Sequence, residues 1–203
     1  MMQIIDCAQG EPEWFAARMG IPTASEFSTV MAKGEGKTRK SYLLKLAGEI
    51  LTGEPMDNYV SQDMERGKLM EGEARDLYAF MTDADPQRVG FIRNGDKGAS
   101  PDSLIDADGG LEIKSALAHI QIDRLIKDEL PSEHKAQVQG SLWVAERAWW
   151  DFVSYCPKLP LFVKRVYRDE EYIAKLEREV DLFNIELQQT VDYVRKYGQK
   201  AAA

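Results

Sequence analysis

Residues 100–114 read Ser100-Pro-Asp-Ser-Leu-Ile-Asp-Ala-Asp-Gly-Gly-Leu-Glu-Ile-Lys114. Two strand-like runs flank the turn-rich stretch Asp106-Ala-Asp-Gly-Gly110, so the segment predicts a hairpin. Side chains alternate across a strand, which puts Glu112 and Lys114 on one face and Ile113 on the other. Nine residues separate Asp102 from Glu112, and the hairpin can lay the two side by side. Two carboxylates ~4 Å apart repel by about 4 kcal/mol at an effective dielectric of roughly 20. A divalent cation removes that repulsion. Donors that are all oxygen favour Mg²⁺, with Mn²⁺ as a substitute, over zinc. The Ile113 carbonyl could complete the coordination. Such an ion polarises a phosphodiester and generates hydroxide, and Lys114 would hold the attacking water or the developing negative charge. The Glu-x-Lys tripeptide by itself is common. Pro-Asp at hairpin distance before it turns the reading from an exposed charged hairpin to a nuclease site.

Working outward, strands are expected over Gln87–Asn94, Gly98–Asp106 and Gly110–Ala116, then over Trp149–Cys156 and Leu161–Tyr167. Helices are expected from Trp14 to Arg18, from Ala24 behind a Thr23/Glu26 capping box, and over Arg39–Leu51, Ser61–Thr82, Ser132–Glu146 and Asp169–Tyr197. The last helix spaces Ile173, Leu176, Val180, Phe183, Leu187, Val191 and Val194 by threes and fours, a core-packing stripe. This order predicts an α/β or α+β fold, a mixed sheet flanked by helices. One domain fills 1–203, with a core at about 61–156, N-terminal helices over 12–53 and a C-terminal helix over 169–197.

On the Ser61–Thr82 helix, Met64, Gly67, Glu71, Ala74, Tyr78 and Met81 form one stripe. Glu71 interrupts an otherwise apolar or small face, and a buried carboxylate needs a partner. A metal-bound water or an ion would serve. Gln137 and Gln139 lie two residues apart on a helix, so at most one lines the cleft.

The chain has 203 residues and a net charge of -8, which counts against nucleic-acid binding. The charge is uneven, however: Lys33, Lys37, Arg39, Lys40 and Lys45 face Glu35 alone in the stretch 33–45, a local basic patch able to guide DNA. Cys7 and Cys156 are the only cysteines and His119 and His134 the only histidines, too few for a disulfide framework or a zinc ribbon. No apolar run spans a bilayer and no signal peptide opens the chain, so the expected location is the cytoplasm.

The blocks Glu13-Trp14 to Arg18, Thr23-Ala-Ser25-Glu26, Gly67-x-x-x-Glu71, Ser100-Pro-Asp102, Leu111-Glu-Ile-Lys114 and Ala136-Gln-Val-Gln139 occur in this order. As an ordered set they resemble the YqaJ-type viral recombinases, the phage lambda exonuclease family, from about Trp14 to Tyr155. The resemblance implies a restriction-endonuclease-like core of the PD-(D/E)xK type. It implies Asp102, Glu112 and the Ile113 carbonyl as Mg²⁺ ligands, Lys114 as the catalytic lysine, Glu71 orienting water and Gln137 lining the site. It assigns Arg18 and Ser25 to the 5′-phosphate of the cut strand. A helix's first turn attracts anions and an arginine grips them in two places. Trp14, Met64 and Ser100, with the basic residues Lys33, Lys37 and Arg39, are expected on the DNA. Met64 stands where the family carries a wedging leucine, and His134 where it carries a tyrosine. The activity implied is a 5′→3′ exonuclease on linear double-stranded DNA that leaves 3′ single strands. A single-strand annealing protein, a trimeric ring and a phage or prophage source in a bacterial host are implied with it. An endonuclease with the same core and a non-catalytic DNA-end binding module are the rival readings.

Overall fold

The hairpin forms, but its glycines do not make the turn. The structure, a computed structural model, describes residues 1–32, 37–56 and 62–200, without the side chains of 62–69 and 198–200. Strands β4 (Ser103–Ile105) and β5 (Gly109–Ser115) pair antiparallel, Ser103 opposite Leu111 and Ile105 opposite Gly109. Residues 106–108 reverse the chain, with Asp106 in the left-handed region at a φ of 47°. Gly109 and Gly110 lie within β5, where indole rings press on their backbone. A Cβ on Gly109 would fall 2.2 Å from the Trp149 ring, and one on Gly110 2.3 Å from Trp150.

Strand β5 runs parallel to β6 (Trp149–Tyr155), and β6 is antiparallel to β7 (Phe162–Tyr167), giving the mixed sheet β4-β5-β6-β7. Parallel neighbours need a crossover. Residues 116–148 supply it with α5 (Ala118–Lys127), a 3₁₀ turn (Ser132–His134) and α6 (Lys135–Val144). A second, antiparallel sheet joins β1 (Met2–Ile5), β2 (Phe91–Asn94) and β3 (Lys97–Ala99).

The expected strand over Gly98–Asp106 is therefore two strands, β3 and β4, in different sheets. Pro101 has no N–H to give a ladder, and the run breaks at 100–102. Gln9 holds the break, its amide donating to the carbonyls of Pro101 at 2.9 Å and Val89 at 3.0 Å. Gln87 is not in a strand but exchanges two 2.8 Å backbone bonds with Leu104. Strand β1 and helix α5 carried no expectation.

Helix α4 (Gln62–Thr82) lays Ala74 and Tyr78 against Ile105, Leu111, Ile113 and Val153 on one face of the sheet. On the other face α2 (Phe27–Val30), α3 (Lys37–Thr52), α6 and α7 (Glu170–Lys200) enclose Leu104, Trp150, Phe152 and Phe162. The alternation along β6 serves both layers, Phe152 entering one and Val153 the other. The α7 stripe is buried as expected from Ile173 to Val191, whereas Val194 is 46% exposed, so packing stops one turn early. Helix α1 (Pro12–Arg18) ends before Gly20, which takes a φ of 73°. The capping box does not form. Ala24–Glu26 is a 3₁₀ turn ahead of α2, and Thr23 makes no side-chain cap but sits 3.2 Å from the Ser25 hydroxyl.

Candidate active site

Glu112 is buried at the middle of the central strand β5, at 3% exposure, while half-buried Lys114 lies two residues on along the same face. Their side chains meet, Lys114 Nζ standing 2.7 Å from Glu112 Oε1. Helix α6, part of the crossover, brings Gln137 to the same oxygen, its Nε2 donating at 2.6 Å. Gln139 turns away, bonding the Tyr167 carbonyl and the Asp169 amide. Asp102 closes the group from the break between β3 and β4. Its amide donates to Leu111 O at 3.2 Å, and its Oδ2 accepts from the Ile113 amide at 2.5 Å. Asp102, Glu112, Lys114 and Gln137 thus converge, and Glu71 on α4 lies close enough to act on Asp102 electrostatically.

Burial, then Glu112 and Glu71, push the Asp102 carboxyl well above the usual carboxylate range, against the opposing pull of Lys114 and the Ile113 amide. At Lys114 burial acts to lower the pKa, but Glu112, Asp102 and Glu71 together outweigh it and the ammonium is held more firmly than usual. Glu112 Oε2 is buried and has no hydrogen-bond partner among the described residues. Such an oxygen calls for a partner.

A hard cation fits these donors. Among the described residues no three His, Cys, Asp or Glu side chains stand as a ready-made metal cage. Mg²⁺ does not require one, since it keeps several waters and takes one or two protein carboxylates. Asp102, Glu112 with its spare oxygen and the Ile113 carbonyl are the groups that would hold it. Glu71 differs from its sequence reading. Its side chain is 32% exposed, and its partner is a protein cation, Arg75, one turn along the helix. The signal was present in the sequence as the i,i+4 spacing of an acid and an arginine.

A second cluster forms on the other side of the 100–102 break. The Trp14 indole N–H and the Arg18 guanidinium each donate to Ser100 Oγ at 3.0 Å, and the guanidinium lies 4.0 Å from the centre of the Trp14 ring. Exposed Ser25 stands on the 3₁₀ turn, and a three-residue turn carries no helix dipole of the kind expected from the sequence. Arg39, read as a DNA contact, faces inward instead. Its fork grips Glu186 of α7 at 2.7 and 3.0 Å and it covers the Phe183 ring. Lys37 is exposed at the start of α3, while Lys33 and the Met64 side chain lie outside the described residues.

His134 is sequestered behind Lys114. Its Nε2 sits 3.1 Å from Arg124, its ring stacks near Phe152, and burial, with Lys114 and Arg124, lowers its pKa to about 4. Arg124 is 8% exposed and also donates to Ser154 Oγ at 2.8 Å. Neither Arg75 nor Arg124 was read as part of the site.

The alkaline exonuclease LHK-Exo from Laribacter hongkongensis is similar over 94% of this chain and 100% of its own, at 33% identity and a TM-score of 0.86. The complex of LHK-Exo with dAMP matches over the same shares at 34% identity and the same TM-score. A phage-related exonuclease from Haemophilus somnus 129PT is 14% identical, with a TM-score of 0.64 over 86% of this chain and 96% of that one, a likeness of fold. No curated protein matches the chain by sequence. The sequence model of the YqaJ-like viral recombinase domain matches residues 13–148, and the chain belongs to this family.

Proposed function

We propose that this protein is a Mg²⁺-dependent exonuclease that digests linear double-stranded DNA from the 5′ end. It releases 5′-mononucleotides and leaves a 3′ single strand for annealing. The observation that carries the reading is the meeting of Asp102, Glu112 and Lys114, with one buried Glu112 oxygen that has no partner among the described residues. The relative described as an alkaline exonuclease, and its complex with a mononucleotide, support the activity and the product.

Hydrolysis joins a water oxygen to phosphorus and breaks the P–O3′ bond. The 3′ oxygen leaves protonated on the released nucleotide, and the phosphate remains as the next 5′ end. Bound Mg²⁺ supplies Lewis-acid stabilisation of the phosphoryl charge and a lower pKa for water. Asp102 and Glu112 would hold the ion, and Gln137 and Lys114 engage Glu112 Oε1 and fix its carboxylate. The Lys114 ammonium stands beside the phosphorus, where negative charge grows. Glu71 orients the attacking water. Arg18 and Ser25 take the terminal 5′-phosphate, with Trp14 and Ser100 against the Arg18 guanidinium as further DNA contacts, which makes the enzyme act from ends.

A trimeric ring would keep an acidic chain on DNA by topology, and an annealing protein would receive the exposed strand. Among the described residues no helix is long and apolar enough to cross a membrane. The setting proposed is the cytoplasm of a bacterial host carrying a phage or prophage. A linear duplex labelled separately at each terminus tests the whole reading. The 5′ label should appear first as mononucleotide, the 3′ label should be retained, and nothing should be released without Mg²⁺. Cutting of covalently closed circles would refute end dependence, and DNA binding without any release would refute the enzyme.

A further inference from the structure

Arg75 is 6% exposed and forms an ion pair with Glu71 from the same helix. Its Nε donates to Ser103 Oγ at 3.0 Å. One terminal nitrogen donates both to Glu71 Oε1 and to the backbone carbonyl of Asp102, the latter at 3.2 Å. Ser103 Oγ donates to that same carbonyl at 2.6 Å, so the arginine, the serine and the Asp102 backbone form a closed triangle. The other terminal nitrogen is buried with no partner among the described residues, and Arg75, Glu71 and Asp102 together line a cavity of about 410 Å³.

Stability does not explain this placement. A buried guanidinium with one carboxylate partner is no better for the fold than an apolar side chain of its size, and a donor left unsatisfied inside a protein is the exception. What the position does achieve is geometric. One side chain ties a helix carboxylate to the backbone of a break in the sheet. We infer that Arg75 is the positioning residue that pre-sets the metal-holding group, locking Glu71 and the Asp102 backbone together so that a divalent cation enters without rearrangement. The inference rests on the metal-dependent reading of the same site. Residues that act through a ligand in this way change metal affinity by about 10–100-fold when removed. Lysine would replace only part of the function, because a single ammonium lacks the planar fork that spans Ser103, Glu71 and Asp102.

The test is Mn²⁺ binding to the full chain without DNA, read as free Mn²⁺ by electron paramagnetic resonance, for wild type, Arg75→Gln, Arg75→Lys and Ser103→Ala. Melting in EDTA reports folding separately. Arg75→Gln should bind Mn²⁺ about 10–100-fold more weakly, and Arg75→Lys and Ser103→Ala by smaller factors in the same direction. With DNA, kcat should fall at sub-saturating Mg²⁺ and recover at saturating Mg²⁺ while KM for DNA stays within about twofold, a rescue that general loosening of the fold does not produce. If Arg75→Gln does not fold, the other two variants decide. Wild-type Mn²⁺ affinity in folded Arg75→Lys and Ser103→Ala overturns the inference. Failure of the wild-type chain itself to take up Mn²⁺ brings down the metal reading, a different result in a different sample.

Discussion

At the scale of single residues the two oxygens of Glu112 differ: one accepts from Lys114 and Gln137, and the other is buried without a donor among the described residues. A ligand that binds the native chain stabilises it by about 2.7 kcal/mol at 100 times its Kd. Mg²⁺ should therefore raise the melting temperature of the wild type over that in EDTA, and Glu112→Gln, which keeps the shape and loses the charge, should abolish the rise. An equal rise in both would place the ion elsewhere. His134 gives a pH prediction. Its ring stays neutral in the native state down to about pH 4, against 6.5 for an ordinary histidine. Between those values the unfolded chain binds a proton that the native chain refuses. The contribution of His134 is thus complete above pH 6.5 and is lost as pH falls toward 4. Urea midpoints should drop more from pH 7 to pH 5 in the wild type than in His134→Gln, which keeps an acceptor for Arg124. Asp102, Glu112 and Lys114 were legible in the sequence because a hairpin's spacing is local. Contacts such as Arg18 to Ser100 join residues 82 apart, and no pattern within either segment announces them.

Between neighbouring elements, packing rather than turn chemistry decides the role of the glycine pair. Gly109 and Gly110 read as turn residues, yet they are the positions where Trp149 and Trp150 of β6 close on β5. Gly110→Ala should destabilise the chain by about 1–3 kcal/mol through overpacking, measured by urea titration. It should also slow nuclease turnover, since Glu112 sits two residues on along the same strand. An unchanged midpoint would mean that the indole moves aside freely. The long helices and β6 and β7 were legible because their apolar residues recur with the element's own period. Helix α5 was not, for a physical reason. It buries Gln121 and Arg124 against β6 and leaves Ile122 and Ile126 exposed at 46% and 78%, so its apolar side faces outward. The split between β3 and β4 was signalled by Pro101 and read past.

Over the whole molecule, the net charge of -8 must coexist with the proposed DNA substrate. Binding then depends on a few local cations, Arg18 and Lys37 among the described ones. The log–log slope of affinity against salt should be shallow, about -0.9 for each phosphate neutralised. Fluorescence anisotropy of a labelled duplex in Ca²⁺ at several salt concentrations measures it. A slope near -10, the value of a heavily basic binder, would contradict an attachment that relies on encirclement. The same wide view gives the crossover between β5 and β6 a temporal meaning. Parallel pairing closes a long loop before any contact rewards it, and such pairings form late. Gln137 travels within that loop, while Asp102 and Glu112 belong to the early, short-range hairpin. A nascent chain therefore owns its acidic pair before it owns the amide that orders one of them, and the group is completed only once the crossover has closed.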